Sequence, residues 1–317
     1  MKNKNPYVNS DSNKRYYTFD YYLRKTYGTK CAKVPLDMGL SCPNIDGSRG
    51  VGGCTFCSGK GSGDFCASNI LSVREQFELQ KNVCRKMWGD FKYIPYFQAH
   101  SNTYGPLEYV KSKIEEAITL ENIAGVAVAT RADCISDAMA EYLKDVAKRV
   151  DLTVELGLQS VFDETAMRIN RCHTYEEFKK GYEKLNGLDV CVHIINGLPG
   201  ETKEMMMETA RRVGKLNPKF LKIHILHLIE GTVMAEQYKK GEFTLQTREE
   251  YVDTVCSQLE ILPRDMVIER LTGDTDASQL IGPDWCMKKL VVLNEIDKEF
   301  VRRDSWQGKF AQNNGKN

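Results

Sequence analysis

No stretch of the chain approaches the roughly 18 consecutive apolar residues that a membrane span requires. The opening MKNKNPYVNSDSNKRYY also lacks the apolar core of a signal peptide. These absences place the protein in the cytoplasm, with no membrane partner. Net charge is nearly missing too: 44 Lys and Arg stand against 43 Asp and Glu, a formal +1. No global field therefore draws the chain to nucleic acid or lipid, and any basic face has to be local. A disulfide framework is the third absence. Eleven cysteines, an odd number in a chain without a secretion signal, read as reduced thiols. Most then serve as small buried hydrophobes; the exception is a group spaced like metal ligands.

What is present is a globular composition, 317 residues with 42% hydrophobic and 27% charged, enough for a large domain with or without an appendage. Residues 1–15 are polar and aperiodic and read as a disordered tail. From residue 16, short β-rich runs alternate with helical patterns: VPLDMG from Val34, YIPYFQA from Tyr93, GVAVAT from Gly125, LTVELGLQ from Leu152, VCVHIING from Val190 and FLKIHILHL from Phe220. Between them Leu107, Val110, Ile114 and Ala117 recur at helical spacing, and 72–88, 136–149, 174–186 and 202–214 behave alike. Repeated βα units imply a parallel sheet with right-handed crossovers, barrel-like or doubly wound, with ligands at the carboxyl ends of the strands. Over 232–317 the pattern changes to a helix with Val252, Val255, Leu259 and Leu262, a strand MVIERL from Met266 and a helical run from Trp285 to Arg303. This reads as a C-terminal α/β extension packed on the sheet.

The loop after the first β-run, CPNIDGSRGVGGCTFC, carries Cys42, Cys54 and Cys57, with eleven residues between the first two and two between the last pair. Two thiolates at that close spacing reach one metal or cluster, and Gly47, Gly50, Gly52 and Gly53 supply the positive φ angles that wrapping a loop around it requires. Three cysteines on a 4Fe-4S cluster leave one iron open, whereas structural zinc is normally closed by four ligands. On the loop alone, a zinc knuckle completed by Cys66 or a distant histidine stays open beside the cluster.

The segments GGCTFCSGKGSGDF, YFQAHSNTYGP, VATRADC, VELGLQS, RINRCHTYEEF, NGLPGET, HLIEGTVMAEQYKKGEF and IERLTGD, spread over roughly 16 to 290, together resemble the radical S-adenosylmethionine (SAM) superfamily. Within it the chain is similar to a bacterial family related to the catalytic core of the elongator tRNA-modifying subunit. Phe56, just before the last cysteine, belongs to the same likeness. The resemblance implies an α/β fold, a partial (β/α)6 TIM-like barrel over 16–231, with Cys42, Cys54 and Cys57 as ligands of a catalytic 4Fe-4S cluster and S-adenosyl-L-methionine as cofactor. An electron donor such as flavodoxin or ferredoxin would drive cleavage of the sulfonium to a 5'-deoxyadenosyl radical. The implied substrate is tRNA at a modified wobble uridine; a small metabolite or a peptide is the other class, and a zinc-bound, non-enzymatic binding module is a third reading. No counterpart of the acetyltransferase domain that accompanies the elongator core follows the barrel, so acetyl transfer is not expected.

By the same likeness, Gln98, Ser101 and Asn102 stand where relatives bind the cofactor's amino group; capping of the helix that opens at Pro106 is the plain alternative. Glu155 and Gln159 share a strand face, and a buried carboxylate and amide there need partners that ribose hydroxyls would supply. Arg171 falls where relatives set an arginine on the cofactor carboxylate, which its fork fits bidentately; a helix-end salt bridge is the alternative. Gly197 and Gly200 let the backbone approach a flat ligand such as adenine. His193 stands where many relatives carry an acid, with a packed histidine as the plain reading. His224 and His227 point to opposite faces of the sixth strand, so at most one meets substrate. Cys66, Cys134 and Cys172 form no compact set and read as idle thiols. Phosphates of a tRNA would need clustered cations at the rim, for which Lys14, Arg15, Arg24, Lys25, Arg302 and Arg303 are the candidates.

Overall fold

The computed structural model describes residues 5–61, 63–88 and 91–311. Its strands are β1 (Cys31–Leu36), β2 (Lys92–Phe97), β3 (Val126–Thr130), β4 (Leu152–Gln159), β5 (Asp189–Asn196), β6 (Phe220–Ile225), β7 (Leu228–Ile229), β8 (Val267–Arg270) and β9 (Leu280–Gly282). The helices are α1 (Phe19–Tyr27), α2 (Val73–Trp88), α3 (Leu107–Ile118), α4 (Asp137–Val146), α5 (Asp163–Arg168), α6 (Tyr175–Lys184), α7 (Lys203–Leu216), α8 (Val233–Lys239), α9 (Arg248–Ile261) and α10 (Lys289–Arg302).

The main sheet runs β1-β2-β3-β4-β5-β6-β8, and the pairs β1–β2, β2–β3, β3–β4 and β6–β8 are parallel. Each expected β-run is a strand of this sheet, in chain order. The MVIERL strand is a correction: β8 is not packed on the sheet but hydrogen-bonded within it, Phe220 opposite Val267. Local chemistry explains the helix starts. Ser136, Thr174, Thr202 and Thr247 each cap a helix by accepting a backbone N–H, and Glu177 and Glu250 close reciprocal capping boxes on α6 and α9.

Two compact units divide the chain, neither of them contiguous in sequence. One takes residues 23–158 and 166–191 and contains β1–β3 with α2–α4 and α6. Its core includes Val34, Leu36, Phe77, Ile114, Val154 and Phe178, all fully buried. In β1, Ala32, Val34 and Leu36 are buried while Cys31, Lys33 and Pro35 on the other face stay half-buried. The other unit takes 1–22, 159–165 and 192–317 and contains β6–β9 and α7–α10 around Val213, Leu221, Val255, Leu259, Ile296 and Phe300.

Residues 5–15, expected to be a loose tail, are held on this second unit. Tyr7 is buried and its hydroxyl donates to Arg264 O at 2.6 Å; Arg15, also buried, donates to Phe300 O and Ser305 O at 3.2 Å each. Polar composition hides such a segment because a few anchoring side chains fix it. Residues 1–4 lie outside the described residues.

Candidate metal centre

The cysteine loop folds back on itself through its own backbone. Cys42 O accepts Ile45 N (2.8 Å), Pro43 O accepts Arg49 N (2.8 Å), Gly53 N donates to Asn44 O (2.8 Å) and Cys57 N to Cys54 O (3.0 Å). Gly47, Gly52 and Gly53 have φ of 90°, 79° and 75°, as the loop requires. Gly50 does not share that conformation. It is glycine for space, because a Cβ there would lie 2.4 Å from Asn44 Oδ1 and 2.6 Å from Cys172 Sγ. Cys42, Cys54 and Cys57 are half-buried free thiols.

The segment after α5 pins this loop. Thr55 N donates to Ile169 O (3.0 Å), Asn170 Nδ2 to Val51 O (3.1 Å) and Gly53 O (2.7 Å), and Asn44 Nδ2 to Asn170 O. Hydrogen bonding from Cys57 holds the Cys54 thiol down to about 7; burial opposes this, and Arg131, the Asn44 amide (3.5 Å from Sγ) and Arg171 reinforce it. Cys57 is pushed up by its bond to Cys54 and by burial. One thiolate is thus accessible near neutral pH.

Arg131, at the end of β3, is the site residue that sequence reading passed over. It is 8% exposed. Its Nε and Nη2 donate to the two oxygens of Asp133 at 2.9 Å each, Nη1 donates to Arg171 O at 2.9 Å, and Nη2 lies 3.0 Å from His173 Nδ1. Since a guanidinium only donates, His173 accepts at Nδ1 and carries its proton on Nε2, a tautomer assigned from the network. Burial, then the charge of Arg171, depresses His173 to about 3, so it is neutral. The signal available in the sequence was the Arg-x-Asp directly after a strand.

Two residues expected to contact the cofactor have partners within the protein. Glu155 is fully buried, but its carboxylate already has partners: Lys33 Nζ on Oε1 and the Tyr96 hydroxyl on Oε2 at 2.8 Å. Ribose hydroxyls are not needed to satisfy it. Arg171 is 1% exposed and donates to His173 O (3.1 and 2.9 Å) and to Leu158 O. Ser101 and Asn102 do not cap α3, whose N-cap is Pro106 with no side-chain bond. Instead Ser101 N donates to Ser41 O (3.3 Å) beside Cys42, and Asn102 Nδ2 to Ala99 O (3.0 Å) and Ala129 O (2.9 Å). Asn102 Oδ1 is buried with no partner among the described residues. Gln98 Nε2 lies 3.8 Å from Cys66 Sγ.

Gln159 and Gly197 belong to the other compact unit. Gln159 has φ 59° and Gly197 φ 87°; a Cβ on Gly197 would lie 3.0 Å from Gln246 Oε1. His193 and His224 pack with ring centroids 5.2 Å apart. Burial depresses His224 far below the usual range and His227 to about 4. Burial pushes Cys66 and Cys134 up to about 12 and raises Cys172, so these remain thiols. Several rim cations are already engaged: Lys14 by Asp297 (2.6 Å), Arg15 by backbone, Arg302 by Glu299 (2.6 Å) and Arg303 by Glu299 (2.7 Å) and Asp253.

Three sulfur donors on a glycine-turned loop, one of them ionising near neutrality, with a buried cation among the charges they feel, suit an anionic iron–sulfur cluster. No helix among the described residues is long and apolar enough to cross a membrane.

The sequence profile of the Radical SAM superfamily matches residues 46–213, and that of the Radical_SAM C-terminal domain matches 218–302. The chain is 46% identical to the uncharacterized protein YtqA of Bacillus subtilis over 98% of both chains, and 33% identical to protein YhcC of Escherichia coli over 87% of this chain and 89% of that one. It is 30% identical to the tRNA uridine(34) acetyltransferase of Methanocaldococcus infernus, over 55% of this chain and 34% of that protein. Among solved structures, the Elp3 of Methanocaldococcus infernus superposes with a TM-score of 0.62 at 19% identity, covering 85% of this chain and 63% of that one. That likeness shows the fold, the α/β partial barrel with its parallel sheet.

Proposed function

The chain belongs to the radical SAM superfamily, whose members use a 4Fe-4S cluster and S-adenosylmethionine and need a reductant, and on that premise we propose that Cys42, Cys54 and Cys57 ligate the cluster and that the substrate is a tRNA uridine. The observation that supports the ligand set is the pinned loop: backbone turns and the Asn44–Asn170 contacts fix the one segment that carries all three cysteines. When bound, the cluster supplies the electron that cleaves the cofactor's sulfonium. The chain's own residues position and shield. Asn102 Oδ1, buried and without a partner among the described residues, offers an acceptor to the cofactor's ammonium group, with Gln98 and Ser101 on the same loop. A flavodoxin- or ferredoxin-type donor in the cytoplasm completes the system.

The tRNA reading is supported by the resemblance to tRNA uridine(34) acetyltransferases. A base has to leave its stack to meet a radical in an enclosed site. The test has two arms. Anaerobically reconstituted protein holds about four irons per chain; Cys54→Ala loses iron and 5'-deoxyadenosine formation while Cys31→Ala keeps both. Full iron in Cys54→Ala, or about one zinc in the parent, would sink the ligand set. In the second arm, nucleosides of tRNA from a strain lacking the gene differ from the parent's at a uridine, and unchanged nucleosides with no tRNA-stimulated cleavage would remove tRNA in favour of a small molecule.

A further inference from the structure

We propose that Arg131 is the positioning residue of the cysteine loop: it ties the two walls of the loop together and places a buried positive charge that eases reduction of the cluster. The inference rests on Cys42, Cys54 and Cys57 as ligands.

The geometry is that of a clamp with two arms. On one side Asp133, its side chain 2% exposed, receives both Arg131 contacts at 2.9 Å and lies 3.8 Å from Arg49 Nε. Arg49 belongs to the cysteine loop, where its backbone N–H closes the turn onto Pro43 O, and its side chain is held by Glu177 at 2.6 Å. On the other side Arg131 Nη1 donates to Arg171 O, the carbonyl next to Asn170, which itself holds Val51 and Gly53. With His173 added, four of the five N–H groups of the guanidinium are used. A planar, permanently charged fork with fixed donors suits this task, and an ammonium point charge cannot make the same set of bonds.

The clamp is also an electrostatic device. Through Arg171 O beside Asn170, which holds Val51 and Gly53, and through Asp133 beside Arg49, the guanidinium is fixed against the cysteine loop. One-electron reduction would add a negative charge to a cluster held by that loop, and a buried cation whose position is fixed would stabilise the added charge without reorganising. Removing the cation should make reduction harder, and removing its counter-charge should make it easier.

The experiment is a midpoint-potential titration of the reconstituted cluster followed by electron paramagnetic resonance, without S-adenosylmethionine, with iron content measured alongside. For Arg131→Met the ratio of reduced to oxidised cluster at a fixed potential falls about tenfold, which is about 59 mV for a one-electron couple. Arg131→Lys keeps the charge and stays within about threefold of the parent. Asp133→Asn shifts the ratio in the opposite direction, because the cation loses its partner. Should Arg131→Met hold no iron, the clamp arm of the proposal is upheld and the Asp133→Asn sign decides the electrostatic arm. A parent with about four irons and variants with unmoved potentials overturn this inference alone; a parent without iron overturns the ligand reading and this inference with it.

Discussion

Gly181→Ala tests how the wall behind Arg131 is built. Gly181 is buried in α6, and a Cβ there would sit 2.1 Å from Ala132 O, 2.6 Å from Ala132 C and 2.9 Å from Ala132 Cβ. Ala132 opens the short turn that follows Arg131, so the obstacle is main chain and cannot swing aside as the end of a long side chain would. Two effects oppose each other. Alanine is the better helix residue by about 0.8–1 kcal/mol. Overpacking typically costs about 1–3 kcal/mol, and a carbon set that close to a carbonyl oxygen belongs at the upper end, because α6 or the turn has to move. The net expectation is about 1–2 kcal/mol of destabilisation, roughly a tenfold fall in the folding constant. Urea unfolding of parent and variant, compared at equal slope, measures it. Movement of α6 also drags His173 and the Glu177 cap, so thiol labelling of the cysteine loop should speed up in the variant. A Gly181→Ala protein as stable as the parent, or more so, would refute the contact and show that propensity alone governs the position.

Arg171→Ala should act on the fold before it acts on the cofactor. It leaves the Leu158 and His173 carbonyls without their donor in a buried place, at a cost of about 3–5 kcal/mol; wild-type unfolding with a weakened cofactor titration would reverse the assignment. Glu177→Gln should show a pH signature. The Thr174 backbone N–H, and after it Arg49, hold Glu177 down to about 2 from its ordinary 4.5. A folded value below the unfolded one means that its stabilisation is complete above about pH 4.5 and is lost as pH falls towards 2. The parent's stability advantage over Glu177→Gln is therefore present at pH 7 and shrinks through that window, and a gap that stays constant down to pH 2.5 would refute the assignment.

What could be read from the sequence follows the range of the interaction that decides each feature. The strands were legible because alternation and apolar runs are local: Ala32, Val34 and Leu36 bury as the pattern implies. So were Gly47, Gly52 and Gly53, whose φ is a property of the loop itself. Gly50 was assigned the right residue type for the wrong reason, since its constraint comes from Asn44 and from Cys172, far along the chain. Glu155 was rightly expected to be buried, yet its partners Lys33 and Tyr96 stand 122 and 59 residues away, and a carboxylate carries no sign of which cation will meet it. The same holds for Arg171, whose bonds to the His173 and Leu158 carbonyls are not written in the motif. MVIERL was legible as a strand but not as a member of the main sheet, because only pairing with β6 decides that.

A sequence thus points to the cysteines proposed as ligands more readily than to the residues packed around their loop. Ligands recur at short spacing because one loop must deliver them, whereas a tuning charge such as Arg131 is recruited from any strand end that reaches the loop. Its contacts with Asp133, Arg171 and His173 assign it a role that spacing could not. The residues around a candidate metal centre that most deserve mutation are accordingly the buried, multiply bonded cations beside the loop, which a motif quotes without explaining.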